Sequence, residues 1–409
     1  MSDLVIHNVK AMRPGVGVTG DTVTVRDGAI ESIEWAAGEG QNPARGERVD
    51  GGGRTLTPGL IDVHVHGTAQ WLFERDADSM RDGLAALPGY GVTCVLPTLY
   101  RVMNRASLPK LEVLSAALDD VDAVSIPGFH LEGPFLALPG AGCETVPGDL
   151  DLLDDLLKAT GGRVTAMSVS PDTPGVLPVV HRLRDRGVLG FVTHTAGTVA
   201  QTRDVLDAGV RHATHFYDVF PVPDVSEPGV RPCGVVEAVL ADDRVSVDFI
   251  ADGVHVDPVA IEMALKCKGV EGVLAITDAN IGAGLPDGEY DSPWGFMVRV
   301  CEGDACRIHA PGQENDGLLA GSGLTMNRGV ANLRRWLDVP EQDVWAMATT
   351  SVAHRVGLAG KGDLVPGGDA DLVLWDRDGD DLIANRTWVG GAGVYEREPK
   401  PAPPEPLHG

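Results

Sequence analysis

Residues 57–67 read TPGLIDVHVHG, an apolar run that ends in two histidines, His64 and His66. Further apolar runs follow, separated by stretches of helical pattern, and many of them also end in a histidine or an acid. These runs are GVTCVLPT (91–98), AVSIPGFH (123–130), RVTAMSVS (163–170), LGFVTH (189–194), VRHATH (210–215), VSVDFIAD (245–252) and GVLAITD (272–278). Strands that alternate with helices are typical of a parallel sheet. We therefore predict an α/β fold with a (β/α)8 TIM-type barrel over residues 57–357, whose strand ends carry the chemistry.

Both ends of the chain show a different pattern. Residues 1–56 read as short alternating strands, with a hairpin turn at Asp27-Gly28. Residues 358–395 again combine short apolar runs with glycine turns, so we expect the two ends to form one small β-sandwich domain. Residues 396–409 are polar and rich in proline, and we expect them to form a flexible tail.

The composition argues against several classes of protein. The formal net charge of −26 repels polyanions, so nucleic acid is not an expected partner, although a compact phosphorylated substrate is compatible with this charge. The sequence has no run of about 20 apolar residues and its start lacks the apolar core of a signal peptide, so we expect a cytoplasmic protein with no membrane partner. The six cysteines include no CxxC pair, which favours buried free thiols over a disulfide framework or a zinc knuckle.

Histidines and acids at the ends of the apolar runs predict a metal centre. His64 and His66 are two residues apart, so on a strand both rings lie on one face. Alone, the pair is equally compatible with two partly buried histidines that make ordinary hydrogen bonds. Glu132, His194 and His215 follow three other strand-like runs, and strands of one barrel converge on a common centre. Imidazoles with a carboxylate suit a divalent metal, Zn²⁺ first and Fe²⁺ second.

Two more strand ends carry residues suited to catalysis. Asp278 ends a later run, where a carboxylate beside a metal-bound water can act as general base and then as general acid. Its alternative role is that of a helix N-cap. His255, in IADGVHVD, is placed to hold the substrate carbonyl or the developing oxyanion, with an ordinary loop histidine as the alternative. His212 lies three residues before His215, so we expect it to face away from the centre and to be structural.

With these residues in place, the chain resembles the N-acetylglucosamine-6-phosphate deacetylases of the amidohydrolase superfamily. The motifs that carry the resemblance are TPGLIDVHVHG, HLEGPF (130–135), THTAGT (193–198), THFYDVF (214–220), IADGVHVD (250–257), ITDAN (276–280) and LAGSGLTM (319–326). The resemblance implies a divalent metal held by Glu132, His194 and His215, catalysis through Asp278, and a homodimer. Because both histidines of the HxH pair are present, one or two ions are expected, with His64, His66 and Asp278 as further ligands.

The reaction implied by the resemblance is hydrolysis of an acetamide on an amino sugar, most directly N-acetylglucosamine-6-phosphate. A metal-bound hydroxide, deprotonated by Asp278, would attack the carbonyl, and Asp278 would then protonate the leaving amine. The LAGSGLTM segment, with Leu319 and Gly321, would form a loop over the substrate, or alternatively only pack. Related dihydroorotases and ureases bridge two metals with a carboxylated lysine, but no lysine ends a barrel strand in this chain. Glu132 is placed to take that role.

Several positions depart from the family pattern where the substrate would bind. Asp218 and Val219 replace an asparagine-alanine pair, and Ser226 replaces the arginine that grips the phosphate, with Arg231 nearby as a substitute. The lysine and histidine expected after HLEGPF are also missing. These losses keep a second hypothesis open, in which the substrate is a non-phosphorylated N-acyl amino sugar or amine. Further alternatives are a cyclic amide hydrolase or deaminase, and an inactive binding homologue.

Overall fold

The computed structural model describes residues 3–35, 46–139, 142–225, 227–301 and 305–398. In these residues the strands are β1 (Leu4–Arg13), β2 (Gly17–Arg26), β3 (Ala29–Glu34), β4 (Glu47–Pro58), β5 (Leu60–Val65), β6 (Gly67–Thr68), β7 (Trp71–Leu72), β8 (Val92–Leu99), β9 (Phe129–Leu131), β10 (Val164–Val169), β11 (Leu189–Val192), β12 (His212–Ala213), β13 (Ser246–Ile250), β14 (Val273–Ile276), β15 (Gly288–Asp291), β16 (Met297–Val300), β17 (Arg307–His309), β18 (Leu372–Asp378), β19 (Asp381–Val389) and β20 (Ala392–Glu396).

The α-helices lie between and after the barrel strands. They are α1 (Ala77–Ala86), α2 (Leu108–Ala117), α3 (Leu150–Ala159), α4 (Val176–Asp185), α5 (Val199–Ala208), α6 (Val235–Leu240), α7 (Pro258–Lys268), α8 (Met326–Trp336), α9 (Glu341–Met347) and α10 (Thr350–Val356). Short 3-10 helices span Leu87–Tyr90, Arg105–Ser107, Leu118–Asp120 and Val270–Gly272. Side-chain caps set several starts; for example, Asp149 accepts from the backbone N–H of Leu152 at the start of α3. That helix buries its leucine face, which attaches it to the barrel.

Eight strands form the barrel. Their order is β14-β13-β12-β11-β10-β9-β8-β5, and the registered pairs between neighbours are parallel. The sheet closes on itself where the Asp278 N–H donates to the carbonyl of His64 at 2.8 Å and the His66 N–H donates to that of Ala279 at 2.8 Å. Every residue of β5 and β8 is buried, which explains why these strands read as continuous apolar runs. The predicted TIM-type barrel with a small β domain is confirmed.

Both ends of the chain contribute to one seven-stranded sheet, in the order β20-β19-β18-β4-β1-β2-β3. This sheet has its own apolar core, which includes Trp388. The indole Nε1–H of Trp375 donates to Thr57 Oγ1 at 2.8 Å within the sheet. The Trp375 ring lies 5.5 Å from that of Trp345 in α9, so the sheet packs against the helices of the barrel domain. The tail was expected to begin at residue 396, and in the structure Glu396 is the last residue of strand β20. Residues 399–409 of the tail lie outside the described residues.

One element was not expected from the sequence. Strands β15, β16 and β17 form a separate antiparallel sheet between the end of β14 and α8, with a small apolar core of its own. In the part of the chain that the structure describes, no helix combines the length and the apolar character needed to cross a bilayer.

Candidate metal centre

The two histidines of the HxH pair lie at the end of β5, and both are buried. The Nε2 atoms of His64 and His66 are 3.3 Å apart, so the rings point to one centre, as period-two geometry predicts. Their other ring nitrogens have separate partners: Nδ1 of His64 is 2.9 Å from Thr214 Oγ1, and Nδ1 of His66 is 3.2 Å from the carbonyl oxygen of Thr98. The Nε2 atoms are therefore the nitrogens turned toward the centre.

Glu132, at the end of β9, joins histidines from three other barrel strand ends. Its Oε1 atom lies 3.1 Å from His194 Nε2 and 3.0 Å from His215 Nε2. Its Oε2 atom lies 3.3 Å from His66 Nε2 and 3.7 Å from His64 Nε2. The carboxylate is 5% exposed, so these contacts are shielded from water. Glu132 is thus placed between the two pairs of histidines.

Asp278 completes the group and contacts the same two Nε2 atoms of the HxH pair. Its Oδ1 atom lies 3.1 Å from His66 Nε2 and 3.5 Å from His64 Nε2. The side chain is 13% exposed, more than Glu132, so it is the member that substrate and water can reach. His64, His66, Glu132, His194, His215 and Asp278 are called the ligand cluster below.

The imidazoles of the ligand cluster are held near carboxylates in the metal-free chain. Burial lowers the pKa of His66, but hydrogen bonds to Asp278 and Glu132 outweigh burial and raise that pKa to about 10. Burial likewise lowers the pKa of His215, and its bond to Glu132 again prevails and raises the pKa to about 10. The carboxylates therefore favour the imidazolium form of His66 and of His215.

The carboxylates respond in the opposite direction. Burial raises the pKa of Glu132, but the charge of His64 and a hydrogen bond from His194 hold it well below its ordinary value. Burial also raises the pKa of Asp278, but the hydrogen bond from His66 and the charge of His64 lower it to about 2. Both acids are therefore ionised and available as anionic ligands at neutral pH.

A buried network outside the ligand cluster orients its members. Asp248 accepts from the His215 backbone N–H at 2.5 Å and from Thr214 Oγ1 at 3.2 Å through one oxygen, while its other oxygen is 2.7 Å from His212 Nε2. His212 therefore supports the centre from outside the cluster, in keeping with the structural role expected for it. His130 also has a hydrogen-bond partner outside the cluster, since its Nδ1 lies 3.0 Å from the carbonyl oxygen of Val63.

Several site residues have left-handed backbone conformations that non-glycine residues rarely adopt. The φ angles are 50° at His194, 34° at His215, 54° at Val219 and 48° at Asp278. Such conformations cost on the order of 1–3 kcal/mol each and concentrate at functional sites. For Val219 the conformation is most unusual because its side chain is β-branched. The strand ends therefore turn sharply where the ligand cluster forms.

The predicted substrate residues lie in different surroundings. His255 is 4% exposed and its Nδ1 is 2.7 Å from Asp252 Oδ2. Burial lowers the pKa of His255, whereas Asp252, followed by the charges of Asp278 and Asp218, raises it. Asp218 is 33% exposed, with Oδ2 4.0 Å from His215 Nδ1. Asp218 therefore borders the ligand cluster at His215, and His255 lies within electrostatic range of Asp278.

The LAGSGLTM segment runs beside the end of β14. The Ser322 N–H donates to the Asp278 carbonyl at 3.0 Å, and a side chain at Gly321 would collide with Asn280. The glycine is therefore required by this close approach, and Leu319 precedes it with a half-buried side chain. The segment thus contacts the backbone of Asp278.

Arg231 lies apart from these groups. Its side chain is 73% exposed and forms an ion pair with Glu237 at 3.0 Å. The structure does not bring the Arg231 guanidinium into the buried cluster, and Ser226 lies outside the described residues.

Sequence reasoning missed one residue at the centre. Cys143 is buried, and its sulfur shares a potential metal-binding set with Glu132 and His194. It lies in the loop after β9, where no strand period indicates side-chain direction. The only signal in the sequence was its position a short distance after the HLEGPF motif.

The donor chemistry fits a divalent metal. Imidazole nitrogens and carboxylate oxygens are ligands of Zn²⁺ and Fe²⁺. Among the described residues, three sets have ligand atoms that all lie within 4.8 Å of one another: His64–His66–Asp278, His64–Glu132–His215 and Glu132–Cys143–His194. Because Glu132 and His64 are each shared by two sets, the geometry accommodates one ion or two.

Residues 55–394 match the model of the amidohydrolase family. The chain belongs to the amidohydrolase family. Members of this family are metal-dependent hydrolases of amides, so the prediction of an amide hydrolase is confirmed. The amidohydrolase fold also explains why the ligands come from the carboxyl ends of several different barrel strands.

Individual relatives show which amidohydrolases this chain is similar to. This amidohydrolase is 29% identical to the N-acetylglucosamine-6-phosphate deacetylase of Lysinibacillus sphaericus, over 95% of this chain and 97% of that protein. It is 30% identical to the enzyme of the same name from Vibrio furnissii, over 93% of this chain and 92% of that protein. The chain is also similar to a solved structure of a variant of the Mycobacterium smegmatis N-acetyl-D-glucosamine-6-phosphate deacetylase in complex with N-acetyl-D-glucosamine-6-phosphate. The TM-score is 0.81 and the sequence identity is 25%, over 96% of this chain and 100% of that chain. The predicted resemblance to these deacetylases is confirmed.

Proposed function

We propose that this amidohydrolase removes the acetyl group from an N-acetyl amino sugar, with N-acetylglucosamine-6-phosphate as its substrate. The observation that carries the proposal is the position of Asp278. Its side chain lies 3.1 Å from His66 and is more exposed than that of Glu132, around which the buried ligands gather. The names of the relatives support the choice of substrate.

The ligand cluster would hold the metal. The set of four imidazoles and two carboxylates suits Zn²⁺ or Fe²⁺ better than Mg²⁺ or Ca²⁺, which prefer oxygen ligands. A bound ion would supply Lewis acidity to the site and lower the pKa of water. Zinc as the resident metal, and the number of ions, stay predictions.

Asp278 would move the proton. Its carboxylate is ionised at neutral pH, so it can accept a proton from the attacking water and deliver it to the nitrogen of the leaving amine. The contact with His66 holds its Oδ1 atom in place. Asp278 therefore serves as base and acid in turn.

His255 would polarise the acetyl carbonyl. Asp252 engages its Nδ1, so a protonated ring has Nε2–H left to donate to the substrate. The negative charges of Asp252, Asp278 and Asp218 raise the pKa of His255 and thereby favour that protonated state. A donor held in this way stabilises charge that develops on the carbonyl oxygen.

The substrate is tested by a release assay with two matched compounds. Purified protein loaded with Zn²⁺ is given N-acetylglucosamine-6-phosphate or N-acetylglucosamine, and acetate and free amine are measured. We expect turnover of the phosphorylated sugar with the higher kcat/KM, and equal amounts of acetate and amine. Hydrolysis of the plain sugar alone would overturn the phosphorylated substrate and favour the second hypothesis, for which the acidic Asp218 and the ion-paired Arg231 are the supporting observations.

Two further predictions concern the state of the protein. A homodimer is expected from the resemblance, and the exposed valines Val222, Val225 and Val230 offer apolar surface to a second copy. Light scattering on a sizing column measures the mass directly. The cytoplasmic location also stays a prediction from the sequence.

A further inference from the structure

The loop after β9 places a thiol against the ligand cluster. Cys143 is 6% exposed, and its side chain is hydrogen-bonded to Glu132. The sulfur, a carboxylate oxygen of Glu132 and an imidazole nitrogen of His194 lie within 4.8 Å of one another. The thiol therefore contacts Glu132 and lies near His194, two residues that we assign to the metal.

Several contacts fix the thiol at this position. The backbone N–H of Cys143 donates to the carbonyl of Pro139 at 2.8 Å. On its apolar side the residue packs with Tyr100, Leu136 and Trp294. The next residue, Glu144, accepts from Asn104 Nδ2 at 2.5 Å and so holds the loop from the other side.

The separations agree with coordination of a single ion. Zinc binds sulfur at about 2.3 Å and imidazole or carboxylate at about 2.0–2.2 Å, so two ligands of one tetrahedral ion are about 3.5 Å apart. A carboxylate oxygen of Glu132 and Nε2 of His194 are already 3.1 Å apart, and the Cys143 sulfur lies within 4.8 Å of a ligand atom of each. A side-chain movement of roughly 1 Å at Cys143 therefore brings the three donors into one coordination sphere.

We propose that Cys143 is a thiolate ligand of the same metal ion as Glu132 and His194. This inference rests on the proposed function, because it concerns the metal that the reaction requires. When the ion binds, the S–H bond breaks, the sulfur–metal bond forms and the proton leaves to solvent. A thiolate ligand selects softer ions such as Zn²⁺ over Mg²⁺ and Mn²⁺, so Cys143 would bias the site toward zinc.

The other buried cysteines supply a contrast. Cys94 is 1% exposed and lies in the barrel core on β8. In the described residues, Cys94 belongs to none of the potential metal-binding sets. Burial alone therefore does not explain why Cys143 faces acids and imidazoles, and Cys94 serves as the matched control.

Cobalt substitution of the full-length protein tests the proposal. The metal is removed by chelation, Co²⁺ is added, and the near-ultraviolet spectrum is recorded for sulfur-to-cobalt charge transfer. We expect this band in the wild-type protein and in Cys94→Ala, and we expect its loss in Cys143→Ser. A band that persists in Cys143→Ser, or that is absent from the cobalt-loaded wild type, overturns the proposal.

X-ray absorption of the zinc-loaded wild type tests Cys143 as a ligand without the need for a variant. A sulfur scatterer at about 2.3 Å is expected, and a shell of nitrogen and oxygen alone contradicts Cys143 as a ligand. Metal analysis separates the two hypotheses. Protein that binds no divalent ion overturns the proposed function itself, whereas protein that binds zinc through nitrogen and oxygen alone overturns only the role of Cys143.

Discussion

The Nε2 atom of His66 lies 3.1 Å from the Oδ1 atom of Asp278, which joins the ends of the first and last strands of the barrel. The same imidazole nitrogen is 3.3 Å from Glu132 Oε2. Asp278 is therefore positioned by the ligand cluster, but its 13% exposure leaves it accessible to substrate. This combination is what a group that transfers protons requires.

Replacing Asp278 with asparagine is expected to remove most of the turnover. The amide keeps the size of the side chain but cannot take a proton from water, and such groups contribute roughly 100-fold to 10,000-fold to the rate. Measured kcat should fall in that range, while zinc remains bound through the other ligands. Asp207→Asn, at an exposed ion pair with Arg244, is the control and should keep the wild-type rate. Retained turnover in Asp278→Asn would remove its catalytic assignment.

Thr214 is expected to control metal affinity through His64. Its hydroxyl donates to Asp248 Oδ1, so it must accept from Nδ1–H of His64, which leaves Nε2 as the basic nitrogen. Thr214→Val removes this bond at nearly constant volume. Loss of such a partner weakens metal binding about 10-fold to 100-fold, which a competition titration with a zinc chelator measures.

Thr214→Ser separates the hydroxyl from the methyl group. The serine variant keeps the hydrogen-bonding group, and we expect it to bind zinc nearly as tightly as the wild type. Equal weakening in both variants would indicate a packing effect and would contradict the orienting role of the hydroxyl.

The stability of the metal-free protein is expected to decline in alkali. The pKa values of His66 and His215 are raised to about 10 in the folded chain, above the ordinary value near 6.5. Their contribution to the free energy of unfolding is therefore complete below pH ~6.5 and is lost as the pH rises through about 10. Urea midpoints of the chelated protein should fall between pH 7 and pH 10.

The zinc-loaded protein is the control for this pH dependence. Its ligand imidazoles are neutral when they bind the metal, so their protonation no longer stabilises the fold. We expect a smaller change in the urea midpoint over the same interval. A chelated protein with a constant midpoint would show that the imidazolium–carboxylate pairs do not contribute.

Much of the ligand cluster could be predicted because its members end barrel strands. The strand period fixes which face His64 and His66 share, and the convergence of strand ends brings Glu132, His194 and His215 together. Loop residues have no such period. Cys143 lies in an apolar cluster with Tyr100 and Leu136, and Trp294, from the unpredicted segment between β15 and β16, packs against that cluster.

The same distinction explains the supporting network and Arg231. In the sequence, Asp248 is a single polar residue inside an apolar run. Its three hydrogen-bond partners come from the end of the neighbouring strand, and the sequence does not show how the two strands are aligned. Arg231 was expected near the substrate from its position in the chain. Its side chain is exposed and pairs with Glu237 of α6, a contact that no regular pattern in the sequence indicated.

Asp218 is expected to weaken binding of the phosphorylated sugar. Its carboxylate is 33% exposed beside the ligand cluster and can only accept hydrogen bonds. Asp218→Asn removes a negative charge and adds a donor. With a contribution of ~1 kcal/mol in a water-exposed site, the KM for N-acetylglucosamine-6-phosphate should fall about fivefold, with kcat nearly unchanged. Asp224→Asn makes the same change in net charge at an exposed position of the following segment and should leave KM unaltered. A KM that is equal in Asp218→Asn and the wild type would place Asp218 outside the substrate site.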